Sequence, residues 1–417
     1  MDSIHIRGGV SLQGKVRIQG SKNAALPILA ASILTKDTSW IRNCPRIADV
    51  YRMIRILKSL GCDVSWDGDG IRIRSGAVCK GEMPVEAITG MRSSLCLLGA
   101  LLGRCGEVVM EYPGGCVIGD RPIDLHISAL SQMGVEFEEK GTRLHAVAPR
   151  LHGAHIELPI ASVGATENII LAAVMADGDT VIEGAAREPE IMALCHFLKK
   201  CGASIEGAGS SRIRICGGKQ LNGTMYRVPA DRIVAGTYLF GSMITGGNVF
   251  LEDADASEME AVLHFAESMG SKCVLAENGI YVQSPKRPVL PAHLKTAPYP
   301  GFPTDMQSMA LAVMTVGEGM CLVEETIFEN RFRVVKPLQE MGADITELDC
   351  RRVKIKGVEK LFGRNVEARE LRGGAALVLA GLAAEGNTQI RGCGYIYRGY
   401  ENITKDLREL GARINGE

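Results

Sequence analysis

One pattern of apolar and polar positions recurs six times along the chain. In each copy an amphipathic helix ends at a glycine and a segment with alternating apolar residues follows, as in LKSLGCDV at 57–64 and LRELGARI at 407–414. A glycine after the last turn is typical of a helix C-terminus, and a period of two indicates a half-buried strand. The glycines, 68 to 73 residues apart, predict six structural repeats: Gly61, Gly134, Gly202, Gly270, Gly342 and Gly411.

Each repeat except the last has a second alternating segment after a polar turn, such as IRIRSG at 71–76. The sixth repeat lacks it because the chain ends at GARINGE, whereas a matching segment, IHIRGG at 4–9, precedes the first repeat. We therefore predict that the two chain ends pair and that three repeats form each domain. The predicted domains are residues 22–230, and residues 1–21 together with 231–417.

Each repeat also contains a helix that is apolar on nearly all sides, for example GATENIILAAVMA at 164–176 and LRGGAALVLAGLAA at 371–384. Helices without a polar face are buried inside a protein. The alternating strands have one polar face each and can lie at the surface. The predicted fold class is therefore α/β, with helices inside and sheets outside.

Composition narrows the class of protein. The 417 residues are 46% hydrophobic and 23% charged, with a net charge of −1 and no basic stripe, which argues against a general nucleic-acid binder. No apolar run is long enough for a membrane span, and no signal peptide is evident. The 13 cysteines form no Cys-x-x-Cys pair, so we expect no metal site or disulfide framework, and a cytoplasmic location.

Four of the six apolar helices begin with a cation, although the positive end of the helix dipole favours acids there. An anionic ligand would explain this, because open N–H groups at a helix N-terminus also bind anions. Three more arginines, Arg121, Arg331 and Arg398, lie in polar loops. We infer a site for phosphate and carboxylate groups between the two domains. The helix-start cations are Lys22, Arg92, Arg232 and Arg372.

Asp305, in FPTDMQ, places an acid at the start of another apolar helix. Thr304 followed by Gln307 has the spacing of a capping box, and in that interpretation Asp305 is an ordinary first-turn acid. Its position corresponds, however, to that of the cations in other repeats, and a lone carboxylate among cations is a candidate general base. Both interpretations are open from spacing alone.

Cys116 lies in YPGGCVIGDRP (112–122), a stretch that favours neither a helix nor a strand. Buried cysteines behave as small hydrophobic residues, and we expect that role for most of the others. A thiol that follows two glycines and precedes Arg121 is a candidate for chemistry, because nearby cations bring a thiol closer to ionisation at neutral pH.

The chain resembles the UDP-N-acetylglucosamine 1-carboxyvinyltransferase family of enolpyruvyl transferases in several segments at consistent spacing: GSKNAALPILAA, PGGCVIGDRPIDLHI, SVGATENI, AAREPEI, FPTDMQ, ENRF and IYRGYE. The resemblance covers residues 1–417. It implies a two-domain inside-out α/β barrel built from six βαβαββ-like repeats. It also implies transfer of the enolpyruvyl group of phosphoenolpyruvate to the 3′-hydroxyl of UDP-N-acetylglucosamine, with release of phosphate and no cofactor, in peptidoglycan precursor synthesis.

The resemblance also implies roles for individual residues. The contacts with phosphoenolpyruvate are Lys22, Asn23, Arg121, Arg331, Arg372 and Arg398, of which Arg331 and Arg372 bind the carboxylate. The contacts with the sugar nucleotide are Asn23, Arg92, Arg121, Pro122, Ile123, Asp124, Leu125, Ser162, Val163, Gly164, Asp305 and Ile327. Asp305 is implied as the base for the 3′-hydroxyl. Cys116 is implied as the proton donor to the methylene carbon and as the atom that fosfomycin alkylates.

Two further positions bear on the site. Family members usually have aspartate where this chain has Glu370, in RELRGG, and glutamate reaches one methylene further, so we expect its contact with Lys22 or the Cys116 thiol to differ from the family's. His126, in DLHIS, is expected to form structural hydrogen bonds.

Two other functions are open from the sequence. A sister enolpyruvyl transferase that acts on shikimate 3-phosphate shares the implied fold, but its family lacks the PGGC loop and AAREPEI. A non-catalytic relative that binds a sugar nucleotide as a sensor is disfavoured by the presence of Lys22, Cys116, Asp305, Arg331 and Arg398.

Overall fold

The structure is a computed structural model that describes residues 3–78, 81–83, 92–111 and 123–416. The chain divides into two compact units. The terminal unit contains residues 3–19 and 230–416, and the middle unit contains the described residues between 20 and 229. Each unit has its own hydrophobic core.

The apolar helices form the interior of the two units, and their predicted burial is confirmed. In the helix Val163–Ala173, for example, every side chain from Ala165 to Ala173 is buried. Within the described residues, no helix combines the length and apolar character that crossing a membrane requires. The central helices are α1 (Lys22–Ala31), α3 (Leu97–Cys105) and α5 (Val163–Ala173) in the middle unit, and α7 (Arg232–Thr245), α9 (Thr304–Met314) and α11 (Leu371–Ala383) in the terminal unit.

A second set of helices carries the repeated glycines at its C-terminal ends. All six glycines have positive φ angles, between 89° and 108°. Side chains disfavour this left-handed conformation, whereas glycine adopts it freely and ends the helix there. The predicted helix ends are therefore confirmed. These outer helices are α2 (Ala48–Ser59), α4 (Asp124–Ser131), α6 (Pro189–Lys200), α8 (Glu260–Ser268), α10 (Val335–Glu340) and α12 (Ile403–Glu409).

Two sheets of the middle unit share one pattern of pairing, and the third shows the antiparallel part of it within the described residues. A short strand runs parallel to a second strand, which pairs antiparallel with a third, and the third pairs antiparallel with a fourth. The orders are β13 (Met225–Arg227), β3 (Thr38–Arg42), β5 (Gly70–Arg74), β4 (Asp63–Asp67); β9 (His155–Glu157), β10 (Asp179–Glu183), β12 (Arg212–Cys216), β11 (Ser204–Glu206); and, within the described residues, β6 (Glu107–Glu111), β8 (Arg143–Val147), β7 (Glu136–Lys140).

The terminal unit repeats this pattern, and its last sheet includes the N-terminal strand. The N-terminal strand, Ser3–Arg7, lies between two C-terminal strands. Its Ile6 is opposite Thr388 of one strand and Ile414 of the other. The orders are β2 (Gln13–Arg17), β14 (Asn248–Glu252), β16 (Gly279–Gln283), β15 (Lys272–Ala276); β17 (His293–Lys295), β18 (Met320–Glu324), β20 (Arg352–Lys356), β19 (Asp344–Asp349); and β21 (Asn365–Glu367), β22 (Asn387–Arg391), β1 (Ser3–Arg7), β23 (Arg413–Gly416).

One polar contact joins an outer helix to a central helix in the terminal unit. The hydroxyl of Tyr238 in α7 donates a hydrogen bond to Oδ2 of Asp406 in α12 at 2.5 Å. Burial raises the pKa of the Asp406 carboxyl to about 6, although the hydrogen bond from Tyr238 opposes the rise. The ionised carboxylate therefore costs folding free energy above that pH.

We expect Asp406→Asn to stabilise the protein above pH 6. Between pH 4 and 6, Asp406 still carries a proton in the folded state, whereas in the unfolded state it has already lost that proton. Because of this group, the free energy of unfolding falls as pH rises through that window. The asparagine amide has no charge to bury. The free energy of unfolding of the variant should therefore exceed that of the parent by about 1–3 kcal/mol at pH 8, and the difference should disappear below pH 4. Urea unfolding at pH 4, 6 and 8 measures it, with Glu277→Gln as the exposed control. A gain independent of pH would contradict this explanation.

Candidate active site

Asp305 lies between two buried arginines in the terminal unit. It occupies the first turn of α9, and its carboxylate forms ion pairs with Arg331, through Nη2, and with Arg372, through Nη2 at 2.8 Å and Nε at 3.2 Å. The Arg331 and Arg372 side chains are 3% and 4% exposed, whereas that of Asp305 is 28% exposed. The carboxylate is thus the accessible member of the cluster.

The charge on Arg372 is stabilised by its neighbours. Burial is the largest single influence and would lower the pKa of this guanidinium, but the charges of Asp305, Tyr400 and Asp231 together outweigh burial, so that the pKa lies above its ordinary value. The Tyr400 hydroxyl is buried beside it and lies 2.7 Å from the Thr237 hydroxyl. Two buried guanidinium groups that share one carboxylate can bind a second carboxylate in a bidentate manner.

Glu370 caps the helix that carries Arg372. Its carboxylate accepts the N–H of Arg372 at 2.7 Å and the N–H of Gly373. A Cβ added at Gly373 would lie 2.5 Å from Glu370 Oε1, so a side chain at this position would displace the capping carboxylate. Its Oε2 also lies 3.8 Å from Nη1 of Arg331. Glutamate at this position therefore fixes the start of α11 and adds negative charge beside Arg331.

Thr304 does not form the capping box that the sequence suggested. Pro303 is the N-cap residue of α9, and it makes no side-chain cap hydrogen bond. The Thr304 hydroxyl instead donates to Glu325 Oε2 at 3.0 Å and accepts from Nε of Arg331 at 3.1 Å. The capping-box interpretation is wrong because a buried carboxylate distant in sequence competes for this hydroxyl.

Ile327 and Arg398 are held by side chains that the sequence did not single out. The N–H of Ile327 donates to Oε1 of Glu325 at 2.8 Å. Arg398 ends the short turn Ile396–Arg398. Directly after this turn, the Gln19 side chain donates to the Gly399 carbonyl at 3.0 Å and accepts the Glu401 N–H at 2.8 Å. An isolated glutamine or glutamate in a sequence carries no signal for such a contact.

Lys22 has a buried carboxylate partner in the middle unit. It begins α1, next to Asn23, and its Nζ lies 2.8 Å from Oδ2 of Asp49 in the first turn of α2. Asp49 is almost fully buried and also lies 3.7 Å from Arg52. Sequence analysis overlooked Asp49, because an acid in the first turn of a helix is common and needs no ligand.

Three segments implied to contact a sugar nucleotide lie at helix starts in the middle unit. Arg92 begins a 3-10 helix, Arg92–Cys96, that leads into α3. Ile123 precedes α4, and its chain continues with Asp124 and Leu125 as the first helical residues. Ser162 caps α5 with its hydroxyl, which accepts the Ala165 N–H at 3.4 Å; Val163 and Gly164 form the first turn.

Asn168 of α5 connects these three segments. Its Nδ2 donates to the Leu95 carbonyl at 3.0 Å and lies 2.9 Å from Nδ1 of His126, and its Oδ1 accepts the Gly99 N–H at 2.6 Å. The His126 ring packs against α5, because a Cβ added at Gly164 would lie 3.1 Å from its Cε1. His126 is 6% exposed, which supports the structural role expected from the sequence.

At four central helices a side chain accepts one or two of the first-turn N–H groups. Fewer main-chain donors are therefore left for an anion, which gives the cationic side chains the larger part in anion binding. The capping residues are Ser21, Ser162, Asp231 and Glu370. Arg232, which follows Asp231, lies over the ring of Tyr299 at 5.5 Å.

Three of the candidate residues, Cys116, Arg121 and Pro122, lie outside the described residues. Among the described cysteines, burial raises the pKa of Cys195, Cys201 and Cys321 to about 12, as expected for side chains that fill the core. Within the same part of the chain, no group of three or more His, Cys, Asp or Glu side chains is arranged to hold a metal ion.

Comparison with known proteins gives consistent results over the full chain. The sequence model of the EPSP synthase (3-phosphoshikimate 1-carboxyvinyltransferase) family matches residues 6–407. UDP-N-acetylglucosamine 1-carboxyvinyltransferase 2 of Caldanaerobacter subterraneus is 45% identical over 99% of both chains. The UDP-N-acetylglucosamine 1-carboxyvinyltransferase of Corynebacterium efficiens is 43% identical over 99% of this chain and 98% of its own.

Two solved structures share the fold. The enolpyruvyl transferase NikO from Streptomyces tendae superimposes with a TM-score of 0.89 at 22% identity and covers 99% of this chain and 98% of its own. EPSP synthase from Acinetobacter baumannii has a TM-score of 0.75 at 19% identity over 100% of this chain and 99% of its own. The predicted enolpyruvyl transferase fold is therefore confirmed.

We expect Asp305→Ala to lower the thermal midpoint of unfolding and to increase the stabilisation produced by a small carboxylate. Removing one member of a buried ion pair costs about 3–5 kcal/mol, and an anion that then binds the two arginines restores part of it. Thermal unfolding with and without pyruvate at constant ionic strength measures both effects. Glu367→Ala, which removes the partner of exposed Arg369, is the control. Equal pyruvate responses in all three proteins would contradict competition between Asp305 and the ligand.

Proposed function

Because the chain belongs to the UDP-N-acetylglucosamine 1-carboxyvinyltransferase family of enolpyruvyl transferases, we propose that it transfers the enolpyruvyl group of phosphoenolpyruvate to the 3′-hydroxyl of UDP-N-acetylglucosamine. Phosphate is released, and no cofactor takes part. The product enters peptidoglycan precursor synthesis as its first committed intermediate, in the cytoplasm, where it serves cell-wall formation and cell division. The observation that carries the proposal is the carboxylate of Asp305 held between two buried arginines.

The two arginines suit the carboxylate of phosphoenolpyruvate. Arg331 and Arg372 are buried and fixed by hydrogen bonds, so little side-chain entropy is lost when they bind a planar anion. Arg398, Lys22 and Arg121 are the proposed ligands of the phosphate, with Asn23 as a further contact. Neutralising the phosphate makes it a better leaving group.

Asp305 is the proposed base for the 3′-hydroxyl. It lies at the accessible edge of the cluster, where an acceptor hydroxyl can approach. The carboxylate of phosphoenolpyruvate competes with Asp305 for the arginines, and an Asp305 oxygen that loses an arginine contact becomes available for the proton of the hydroxyl. Asp305 lies in the first turn of α9, as the capping-box alternative also required, so the support for a catalytic role comes from its two arginine partners.

The proposed reaction is an addition followed by an elimination. The 3′-oxygen attacks the central carbon of phosphoenolpyruvate while Asp305 accepts its proton, and Cys116 gives a proton to the methylene carbon, which becomes a methyl group. In the second step the methyl group loses a proton, the carbon–carbon double bond returns, and phosphate departs. The intermediate between the steps is tetrahedral, and two acid–base groups on opposite parts of the substrate serve both steps.

The sugar nucleotide is proposed to bind at the helix starts of the middle unit. Arg92, the segment Arg121–Leu125 and the segment Ser162–Gly164 supply these contacts, with Asn23, Asp305 and Ile327 as the remaining ones. The network around Asn168 joins the Leu95 carbonyl and the His126 ring to α5, so the chain near Arg92, the start of α4 and the helix that Ser162 caps keep one relative arrangement. Preformed contacts of this kind favour one acceptor over another.

A second candidate acceptor is shikimate 3-phosphate, because the matching family model is named for the enzyme that uses it. Phosphoenolpyruvate is common to both reactions, so the arginine cluster fits either. The relatives that are 43–45% identical are named for the sugar nucleotide, which favours that acceptor.

We expect phosphate release only when phosphoenolpyruvate and UDP-N-acetylglucosamine are both present. The acceptor oxygen must attack before phosphate can leave, so neither substrate alone should give turnover. A phosphate-release assay with each acceptor in turn tests this expectation. Turnover with shikimate 3-phosphate that equals or exceeds that with the sugar nucleotide would overturn the assignment.

We expect Cys116→Asp to keep substantial turnover and Cys116→Ser to lose about 10²–10⁴-fold, since general acid catalysis contributes that much and a serine hydroxyl is too weak an acid. The aspartate variant should work best at lower pH, because a carboxyl group has an intrinsic pKa of about 4. It should also resist fosfomycin, whose epoxide needs a thiolate. Turnover against pH with and without fosfomycin measures all three properties. An inactive aspartate variant beside an active serine variant would exclude Cys116 as the proton donor.

A further inference from the structure

Glu325 is a fully buried carboxylate next to the candidate site. Its side chain has no exposed surface. Oε1 accepts the N–H groups of Ile327 at 2.8 Å and Phe328 at 3.2 Å, and Oε2 accepts the Thr304 hydroxyl at 3.0 Å. A buried carboxylate is tolerated only when hydrogen bonds replace its hydration, so these three donors fix its position.

The Thr304 hydroxyl links Glu325 to Arg331 through two hydrogen bonds. A hydroxyl has one proton, and here that proton is directed at Glu325, so the oxygen lone pairs are left to accept. One of them accepts Nε–H of Arg331 at 3.1 Å. Without Glu325 the hydroxyl could rotate and direct its proton at the guanidinium, where it would repel the cation.

The contact at Nε determines which edge of the Arg331 guanidinium remains available. With Nε bound to Thr304, Nη2 faces Asp305 and Nη1 lies 3.8 Å from Glu370. The two terminal nitrogens are the pair that binds a carboxylate in parallel. Bidentate binding of a carboxylate depends on the orientation of the guanidinium plane, and a small rotation of that plane weakens the binding.

We propose that Glu325 is a positioning residue which, through the Thr304 hydroxyl, orients Arg331 for the carboxylate of phosphoenolpyruvate. The proposal rests on the proposed function. It assigns a role to a residue that touches neither substrate, and it explains why the first residue of α9 is a threonine whose hydroxyl is not used as a cap.

Support of the loop alone does not account for this arrangement. The same loop is also held by Thr326, whose hydroxyl donates to the Thr296 carbonyl at 2.8 Å and whose N–H donates to the Thr296 hydroxyl at 2.9 Å. The two main-chain contacts of Glu325 serve the loop in the same way. Its third contact, to Thr304, leads away from the loop to Arg331.

The experiment compares Thr304→Val, Thr304→Ser and Thr326→Val in the full-length enzyme. Valine keeps the shape of threonine and removes the hydroxyl, serine restores the hydroxyl, and Thr326→Val removes a matched hydrogen bond of the same loop. Steady-state rates with varied phosphoenolpyruvate and varied acceptor give both KM values, and thermal unfolding gives the loss of stability.

We expect Thr304→Val to raise the KM for phosphoenolpyruvate about 10- to 100-fold, the worth of a hydrogen bond to a charged group, while the KM for the acceptor changes less than about twofold. Thr304→Ser should stay within about threefold of the parent enzyme. Thr326→Val should lower the unfolding midpoint without changing the KM for phosphoenolpyruvate.

Glu325→Gln is a second test of the same contact. Its amide oxygen can keep both main-chain contacts, but its NH2 group donates to the Thr304 hydroxyl and so reverses the direction of that hydrogen bond. This variant should also raise the KM for phosphoenolpyruvate and leave the KM for the acceptor nearly unchanged.

The inference is overturned if Thr304→Val and Glu325→Gln keep the parent KM for phosphoenolpyruvate, or if Thr326→Val raises it as much as they do. Failure of the proposed function looks different, because the parent enzyme would then release no phosphate with UDP-N-acetylglucosamine. The variants are in that case compared with shikimate 3-phosphate as acceptor, since phosphoenolpyruvate is common to both reactions. A parent inactive with both acceptors would remove the basis of the inference and count against it.

Discussion

Positive charge at the buried starts of the central helices must be neutralised, and this constraint governs the arrangement of the site. A helix N-terminus is already electropositive, and burying a cation there costs free energy unless a carboxylate is close. Within the described residues, carboxylates lie beside these cations. Asp305 contacts Arg331 and Arg372, and Asp49 contacts Lys22. Glu370 adds negative charge beside Arg331.

In the proposed function, the same constraint prepares these cations to bind substrate. Their side chains cannot relax toward solvent, because hydrogen bonds to Thr304, Asp305 and Asp49 hold them in place. A substrate anion that takes over a carboxylate's contacts meets donors that are already oriented, so little entropy is lost on binding. Catalysis by electrostatic stabilisation needs this kind of prior arrangement. Under this proposal, an ion pair that neutralises buried charge in the folded protein also prepares the site.

Local features of the fold could be predicted from the sequence because they depend on neighbouring residues. The six glycines end six helices, since a positive φ is a property of one residue and its closest neighbours. The apolar helices are buried because a helix without a polar face has no other stable location. Thr304 shows the limit of such reasoning. Its spacing to Gln307 fits a capping box, yet Glu325, 21 residues away, takes the hydroxyl.

The sequence by itself determined the repeats, the ends of the outer helices, the buried helices and the residue types from which a phosphate and carboxylate site could be built. Only the tertiary structure decided which carboxylate neutralises which cation, that Glu370 caps α11, and that Thr304 donates to Glu325 and accepts from Arg331. The reason is physical. Helix ends and strand faces follow from contacts within a few residues, whereas ion pairs and buried hydrogen bonds depend on distances between elements that are far apart in the chain. Those distances are fixed only when the cores have packed.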